Sequence, residues 1–242
     1  MQYHSGNYAD MQAVRVDIRF DAYDNESGNA KAKIMAKFQR KTAEERKDEI
    51  RRGAVQTFLK KGYRNTTMED IVASTTLSKG GVYRYFKSTK EIMLSLMHEG
   101  NILSRERLRV LFDKAEENAD VCALFSQAVI EKLFAENPLK RLYLMFVTEI
   151  VYDAEFEKEW QKLNADFYPI LRADFLEWKN EKPDLADAFL NLLEKLDLDF
   201  LGALVNALLM QYELFSDKRV LRSKKDFLYG IFYDYCKDRI KR

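Results

Sequence analysis

The tightest constraint on this chain is the spacing of its helix start signals between Thr67 and Ser88. Thr67 is followed three residues on by Asp70, Ser78 opens the stretch SKGGVYRYF, and Ser88 is followed three residues on by Glu91. A hydroxyl at such a position accepts from an orphan N–H of the first turn, and an acid three residues later reaches back to the cap. So close together, these signals leave room only for two short helices, Thr67 to about Ser74 and Ser78 to about Phe86, joined by Thr75, Thr76 and Leu77. Helices of about eight residues are marginal in water and must be packed on neighbours. An upstream signal, Thr42 with Glu45, opens a longer helix on which Ile50, Ala54 and Phe58, with Val55 and Leu59, form one apolar stripe. Gly62 is placed to end that helix in a left-handed conformation, with Tyr63 packing back on Phe58 as in a Schellman turn. One helix, then short helix, three-residue turn, short helix is the helix-turn-helix pattern, whose second member enters the DNA major groove.

Helical geometry divides the second short helix into two faces. Val82 and Phe86, four residues apart, form its buried edge, while Lys79, Gly80, Tyr83, Arg84 and Lys87 fall on the other sides. Gly80 and Gly81 each cost roughly 1 kcal/mol in helix propensity relative to Ala, and close approach of the backbone to a phosphate or base edge is a motive for them. Charge is segregated to match. Residues 31–90 carry 16 basic and six acidic side chains, whereas residues 91–242 carry 22 basic and 28 acidic, although the whole chain has a net charge of only +1. A basic segment of this kind suits an anionic polymer partner.

The stretch RRGAVQTFLKKGYRNTTMEDIVASTTLSKGGVYRYFKSTKEIMLSLM resembles the N-terminal domain of the TetR-type transcriptional regulators over about fifty residues, from about Ala43 to Met97. The resemblance implies a ligand-responsive regulator, a repressor, that binds a palindromic double-stranded operator as a homodimer and is released by a small effector. It assigns phosphate contacts to Thr67, Tyr83 and Lys90, and base-edge or backbone contacts to Ser78, Lys79, Gly80, Gly81 and Arg84. Tyr85 stands where histidine is frequent in the family and, like it, donates to phosphate. Many members carry Thr or Ser at the place of Gly81, so glycine removes a base contact there. Weighed against this reading is a DNA-binding architectural or partner-regulated factor of the same fold that answers no small molecule.

The remainder reads as amphipathic helices. With three prolines and nine glycines in 242 residues, and 47% hydrophobic content, an all-α chain with a substantial core is expected: an N-terminal three-helix bundle followed by a larger helical domain. The domain reading is an extension over 1–40, a helix-turn-helix domain over 41–90, and an effector-binding and dimerisation domain over 91–242. Helix breaks are expected near Gly100, Ala119, Pro138, Asp153, Pro169, Pro183 and Asp197 and at Ser216 to Arg219. The aromatic-rich stretch holding Tyr143, Phe146, Tyr152, Phe156, Trp160, Phe167, Phe175 and Trp178 is expected to supply core, and by the resemblance to line an apolar pocket for an unknown small effector. The last two helices, Asp199 to Phe215 with Gly202, Ala203, Asn206 and Ala207, and Asp226 to Ile240, are the expected homodimer interface, a two-fold four-helix bundle.

Other chemistries lack their residues. Cys122 and Cys236 lie far apart in apolar patterns and read as core thiols. His4 and His98 are the only histidines, there is no E-x-x-H pair and no nucleophile-base-acid set, so no catalytic residue, metal site or cofactor is expected. No signal peptide and no apolar run of about 18 residues is present, which points to a cytoplasmic protein without a membrane partner. Residues 1–34 fit the rest poorly. VRVDIRF alternates like a strand, Met35 opens what looks like a natural family start, and the segment reads as an upstream translation artefact, a tag-like remnant or a real arm, with Lys37, Arg40 and Lys41 basic toward DNA.

Overall fold

The computed structural model describes residues 41–241, which form helices joined by short loops with no strand among them. The strand-like run Val14 to Phe20, the start at Met35, and Lys37 and Arg40 of the expected basic arm lie outside the described residues. The first helix, α1 (Ala43–Lys61), begins on the expected capping box: Glu45 N–H donates to Thr42 Oγ1 at 3.2 Å and Thr42 N–H to Glu45 Oε2 at 2.6 Å. It ends at Gly62, whose N–H donates to Phe58 O at 2.8 Å. Its φ of +79° is one that favours glycine, but ψ is 158°, so the chain leaves extended instead of closing the left-handed turn expected from the sequence. Tyr63 nevertheless packs back on Phe58, with ring centroids 5.7 Å apart.

The two short helices follow as α2 (Met68–Ala73), capped by Thr67, and α3 (Lys79–Tyr85), capped by Ser78. Neither could hold together alone, and each is fixed by what it buries: Met68 and Ile71 from α2, Val82 from α3. These meet Ile50, Ala54, Val55 and Phe58 of α1 and then, without a seam, Ile92, Met93 and Leu96 of α4 (Thr89–Lys114). The same core takes in Leu142 and Phe146 of α6 (Leu139–Ile150) and Phe156 of α7 (Ala154–Trp178). The head is therefore packed against the body through a shared apolar interior.

A second core holds the body together. It joins the far end of α4 to α5 (Val121–Phe134), the second half of α7, α8 (Pro183–Lys195), α9 (Leu198–Leu214) and α11 (Lys225–Lys241), the last two linked through a one-turn α10 (Arg219–Arg222). Its centre is aromatic: Phe175 stacks on Phe189 at 4.6 Å and meets Trp178 edge-on at 4.8 Å, and Phe112 lies 5.3 Å from Trp178. Cys122 of α5 and Cys236 of α11, 114 positions apart, are both fully buried free thiols in contact with each other. Burial pushes both up, so they are packing groups and not nucleophiles.

Two expected helix breaks do not occur. Gly100 lies within the continuous α4, where an added Cβ would meet nothing within 4 Å, so glycine there costs propensity without interrupting packing. Pro169 lies inside α7. Its ring removes the bond to the carbonyl of Ala165, but both residues are exposed, so the lost bond lies on the solvent side, while Leu163, Leu171 and Phe175 pack on the dry side.

Gly53 is the glycine that packing demands. A Cβ built there would stand 2.4 Å from Ser74 Oγ and 3.0 Å from the Ser74 carbonyl, where the end of α2 crosses α1. Gly53→Ala is expected to destabilise the protein by about 1–3 kcal/mol, the usual cost of overpacking, whereas Gly100→Ala is expected to stabilise it by about 0.5–1 kcal/mol. Thermal unfolding followed by circular dichroism checks both.

Candidate nucleic-acid interface

The direction in which α3 points is set from behind. Val82 is fully buried and Phe86 nearly so, and they carry the opposite side of the helix outward, where Lys79, Gly80 and Arg84 are exposed. Ser78 Oγ accepts from Gly81 N–H at 3.2 Å, which fixes the first turn. No heavy atom lies within 4 Å of where a Gly80 side chain would begin, so this backbone is bare toward solvent. Gly81 is half-buried against Leu77 and Ser78, its added Cβ meeting them at 3.4 Å, so its smallness serves the turn as well. Lys79 Nζ pairs with Glu69 Oε1 at 2.8 Å on the surface and lies 5.6 Å from the ring of Tyr83, while Arg84 lies 6.0 Å from the ring of Tyr85. Both tyrosines are half-buried, their rings against the head core.

The turn before α3 is held by a residue that sequence reasoning passed over. Glu49, on α1, accepts from Thr76 N–H at 2.8 Å and from the Thr76 hydroxyl, and pairs with Lys41 at 2.8 Å. Burial alone would raise its carboxyl, but these donors outweigh burial and hold it at about 2. The sequence offered only one more acid on a charged helix face, because its partner is 27 residues away in a turn. Arg51 was missed for the same reason: it pairs with Glu44 and Asp48 on its own helix and reaches Ser95 and Glu99 on α4, strapping the two helices together.

Thr67 is exposed and caps α2, its hydroxyl donating to Asp70 Oδ2 at 2.9 Å, with Lys61 Nζ on the other oxygen of that carboxylate at 2.6 Å. Thr67, Ser78, Lys79, Gly80 and Arg84 thus share exposed positions around the helix-turn-helix, with Tyr83 and Tyr85 at its margin. Lys90 does not join them. Its ammonium is engaged by the body, 2.7 Å from Asp153 Oδ2 and 2.6 Å from Glu155 Oε2, and lies 5.1 Å from the ring of Phe156. Two carboxylates and a ring gathered by the turn between α6 and α7 hold this cation inside the subunit, so a phosphate would have to compete with them for it. The same turn holds Arg64, bonded to Glu149 at 2.9 Å and lying 4.2 Å over Tyr152.

The eight aromatics of the expected effector pocket do not converge. Phe146 and Phe156 are closed into the head-side core, meeting edge-on at 5.4 Å, with Tyr143 and Trp160 beside them. Phe167, Phe175 and Trp178 belong to the body core, and Tyr152 is 68% exposed. The periodicity that put them on helix faces was sound; which core each face meets depends on the crossing of α6 and α7, which no local pattern encodes.

Residues 50–96, from within α1 through α2 and α3 to the start of α4, match the family described as bacterial regulatory proteins, tetR family. Over these residues the head is similar to that family. The chain is 39% identical over 88 residues to YfiR of Bacillus subtilis strain 168, described as an uncharacterized HTH-type transcriptional regulator, a match covering 36% of this chain. It spans only 41% of the length of that relative. It is also 24% identical over 131 residues to the HTH-type transcriptional regulator QacR of Staphylococcus aureus strain Mu50, covering 54% of this chain and 69% of QacR. Beyond the head the likeness is one of fold. Salmonella enterica GusR superposes with a TM-score of 0.57 at 17% identity, covering 81% of this chain and 98% of GusR. The fatty acid degradation regulator FadR of Bacillus halodurans superposes with a TM-score of 0.56 at 16% identity, covering 81% and 97%. The fold, a helix-turn-helix head on a larger helical body, is thus shared over most of the chain.

Two measurements check this geometry. Because the Glu49 carboxyl is depressed, the unfolded chain protonates first as acid is added, so its contribution is whole above about pH 5 and is lost as pH falls from 4.5 toward 2. Glu49→Gln is expected to cost about 1–3 kcal/mol at pH 7, as for loss of a hydrogen-bonded charge, and to flatten stability across that window in denaturant titrations. On duplex DNA, Arg84→Ala is expected to lower the log–log salt slope of binding by roughly 0.9 for each phosphate lost, while Lys90→Ala leaves the slope unchanged; fluorescence anisotropy against salt reads both.

Proposed function

We propose that the chain is a cytoplasmic, homodimeric transcriptional repressor that binds a palindromic double-stranded operator through α3 and is released by a small effector held in the helical body. The single observation that carries the reading is the two-sidedness of α3: Val82 and Phe86 are buried, while the opposite side offers bare backbone at Gly80 flanked by Lys79 and Arg84. Bare backbone and cations on the second helix of a helix-turn-helix suit phosphate and base-edge contact in a major groove. Thr67 and Ser78 add hydroxyls at the two helix starts, Lys79, Gly80, Gly81 and Arg84 take the groove, and Tyr83 and Tyr85 take backbone at its margin.

The dimer is supported by apolar surface that the subunit leaves uncovered. On α9, Phe200, Ala203, Ala207 and Leu214 are exposed at intervals of three, four and seven residues, which is one face of the helix. Phe227 and Ile231 of α11 are likewise exposed, and Phe200 lies 6.3 Å from Tyr235, so the two faces adjoin. An apolar stripe rimmed by charge marks a protein interface, and a two-fold pairing of these helices would hold two reading helices about 34 to 36 Å apart, one turn of duplex.

Phe200→Asp with Phe227→Asp is expected to give a monomer by size-exclusion light scattering, with helicity unchanged. Binding to a palindromic duplex is expected to fall at least a hundredfold, while binding to a single half-site stays as weak as before. A wild-type monomer at micromolar concentration, or a wild type that retains no duplex at low salt, would refute the reading.

A further inference from the structure

Between Thr67 and Phe86 the chain carries two acids, Glu69 and Asp70, and the fold uses them differently. Asp70 belongs to the cap of α2: it accepts from the Thr67 N–H at 3.0 Å and from the Thr67 hydroxyl at 2.9 Å, and pairs with Lys61 at 2.6 Å. Glu49, reaching the turn from α1, and Glu91, accepting from Lys87 N–H at 2.7 Å ahead of α4, hold backbone in the same way. Glu69 is turned to solvent. Its Oε1 accepts from Lys79 Nζ at 2.8 Å, joining the start of α2 to the start of α3, and the two side chains are 62% and 66% exposed. A pair so solvated contributes little to folding, so stability does not call for an acid there.

Its position gives it a different use. Lys79 opens α3 beside Gly80, whose backbone is bare, and this brings the Glu69 carboxylate to the outward-facing start of that helix. A carboxylate repels phosphates, so on a surface that meets a duplex it is a liability unless a base donates to it. In the major groove a G·C pair supplies that donor, the N4 amino group of cytosine, beside the O6 and N7 acceptors of guanine. Lys79 and Glu69 present the complement, an ammonium and a carboxylate side by side. The ammonium has three donors and the carboxylate about four acceptor sites, so the two stay bonded to each other while each takes its base.

We propose that Glu69 and Lys79 read a G·C pair in each half-site as one unit, Lys79 donating to guanine and Glu69 accepting from the amino group of cytosine. This deepens the operator reading above and rests on it, and it adds Glu69 to the residues that set specificity.

The test is selection of duplexes from a random-sequence library by the full chain and by Glu69→Gln, followed by fluorescence anisotropy. The wild type is expected to select a G·C pair at one fixed position in each half-site, and Glu69→Gln to lose that preference there and nowhere else. On the duplex selected by the wild type, Glu69→Gln is expected to bind at least fivefold more weakly, the scale of one base contact. Its affinity for a random-sequence duplex is expected to stay the same or rise, because a negative charge has gone. Changing the selected G·C pair to A·T is expected to weaken the wild type by a similar factor and the variant hardly at all. A carboxylate that only repels DNA would instead make both affinities rise. One that serves only the first turn of α2, where an acid suits the helix end, would lower the melting temperature and both affinities together. Either result overturns the proposal, as does a selected site without a fixed G·C pair or one at which residue 69 makes no difference. A wild type that retains no duplex sinks the operator reading and this inference with it, whereas a clear selected site indifferent to residue 69 sinks the inference alone.

Discussion

The burial of Val82 and Phe86 is the contact on which the placing of α3 depends. A seven-residue helix has no stability of its own to spare, so its orientation follows from those two side chains entering the cluster formed by Ile50, Ala54, Phe58 and Ile71. At about 1.5–3 kcal/mol for each large side chain fully buried, this contact outweighs the propensity cost of Gly80 and Gly81, roughly 1 kcal/mol apiece. The surplus is what permits two glycines in a helix that must keep its shape. Glu49 completes the arrangement from the other side by fixing Thr76, so α3 is located by its apolar edge and by the turn that leads into it.

The same cluster explains why head and body behave as one packed unit. Phe156 and Phe146 reach the head core from the body, and Tyr63 of the head meets Phe156 edge-on at 5.4 Å. Around this apolar joint the turn between α6 and α7 places Glu149, Asp153 and Glu155 against Arg64 and Lys90. Exposed ion pairs of this kind contribute little energy, a median of about 0–1 kcal/mol, but their geometry is directional, and together with the buried rings they give the turn a fixed seat on the head. Any shift of α6 or α7 is therefore felt at the base of α4.

The head was legible from sequence because its determinants are local. Thr42 with Glu45, Thr67 with Asp70, and Ser78 state where helices begin, and the positions of Val82 and Phe86 state which side of α3 is dry. What stayed hidden depends on partners far along the chain. Lys90 carries the charge of a phosphate contact, yet Asp153 and Glu155, more than sixty residues on, claim it. Gly53 resembles any helical glycine until Ser74 crosses it, and the pocket aromatics carry the same periodicity whichever core receives them. The exposed face of α9 and α11 was foreseen because small residues and an aromatic surplus are compositional signals; the meeting of Cys122 with Cys236 was not, because nothing near either residue announces it.

Pro169 gives α7 an unequal stiffness. With one rung of its ladder missing on the wet side and Leu163, Leu171 and Phe175 packed on the dry side, the 25-residue helix is weakest against bending at that turn. Its two halves serve different cores, so the missing rung lies where one helix passes from the head-side core to the body core.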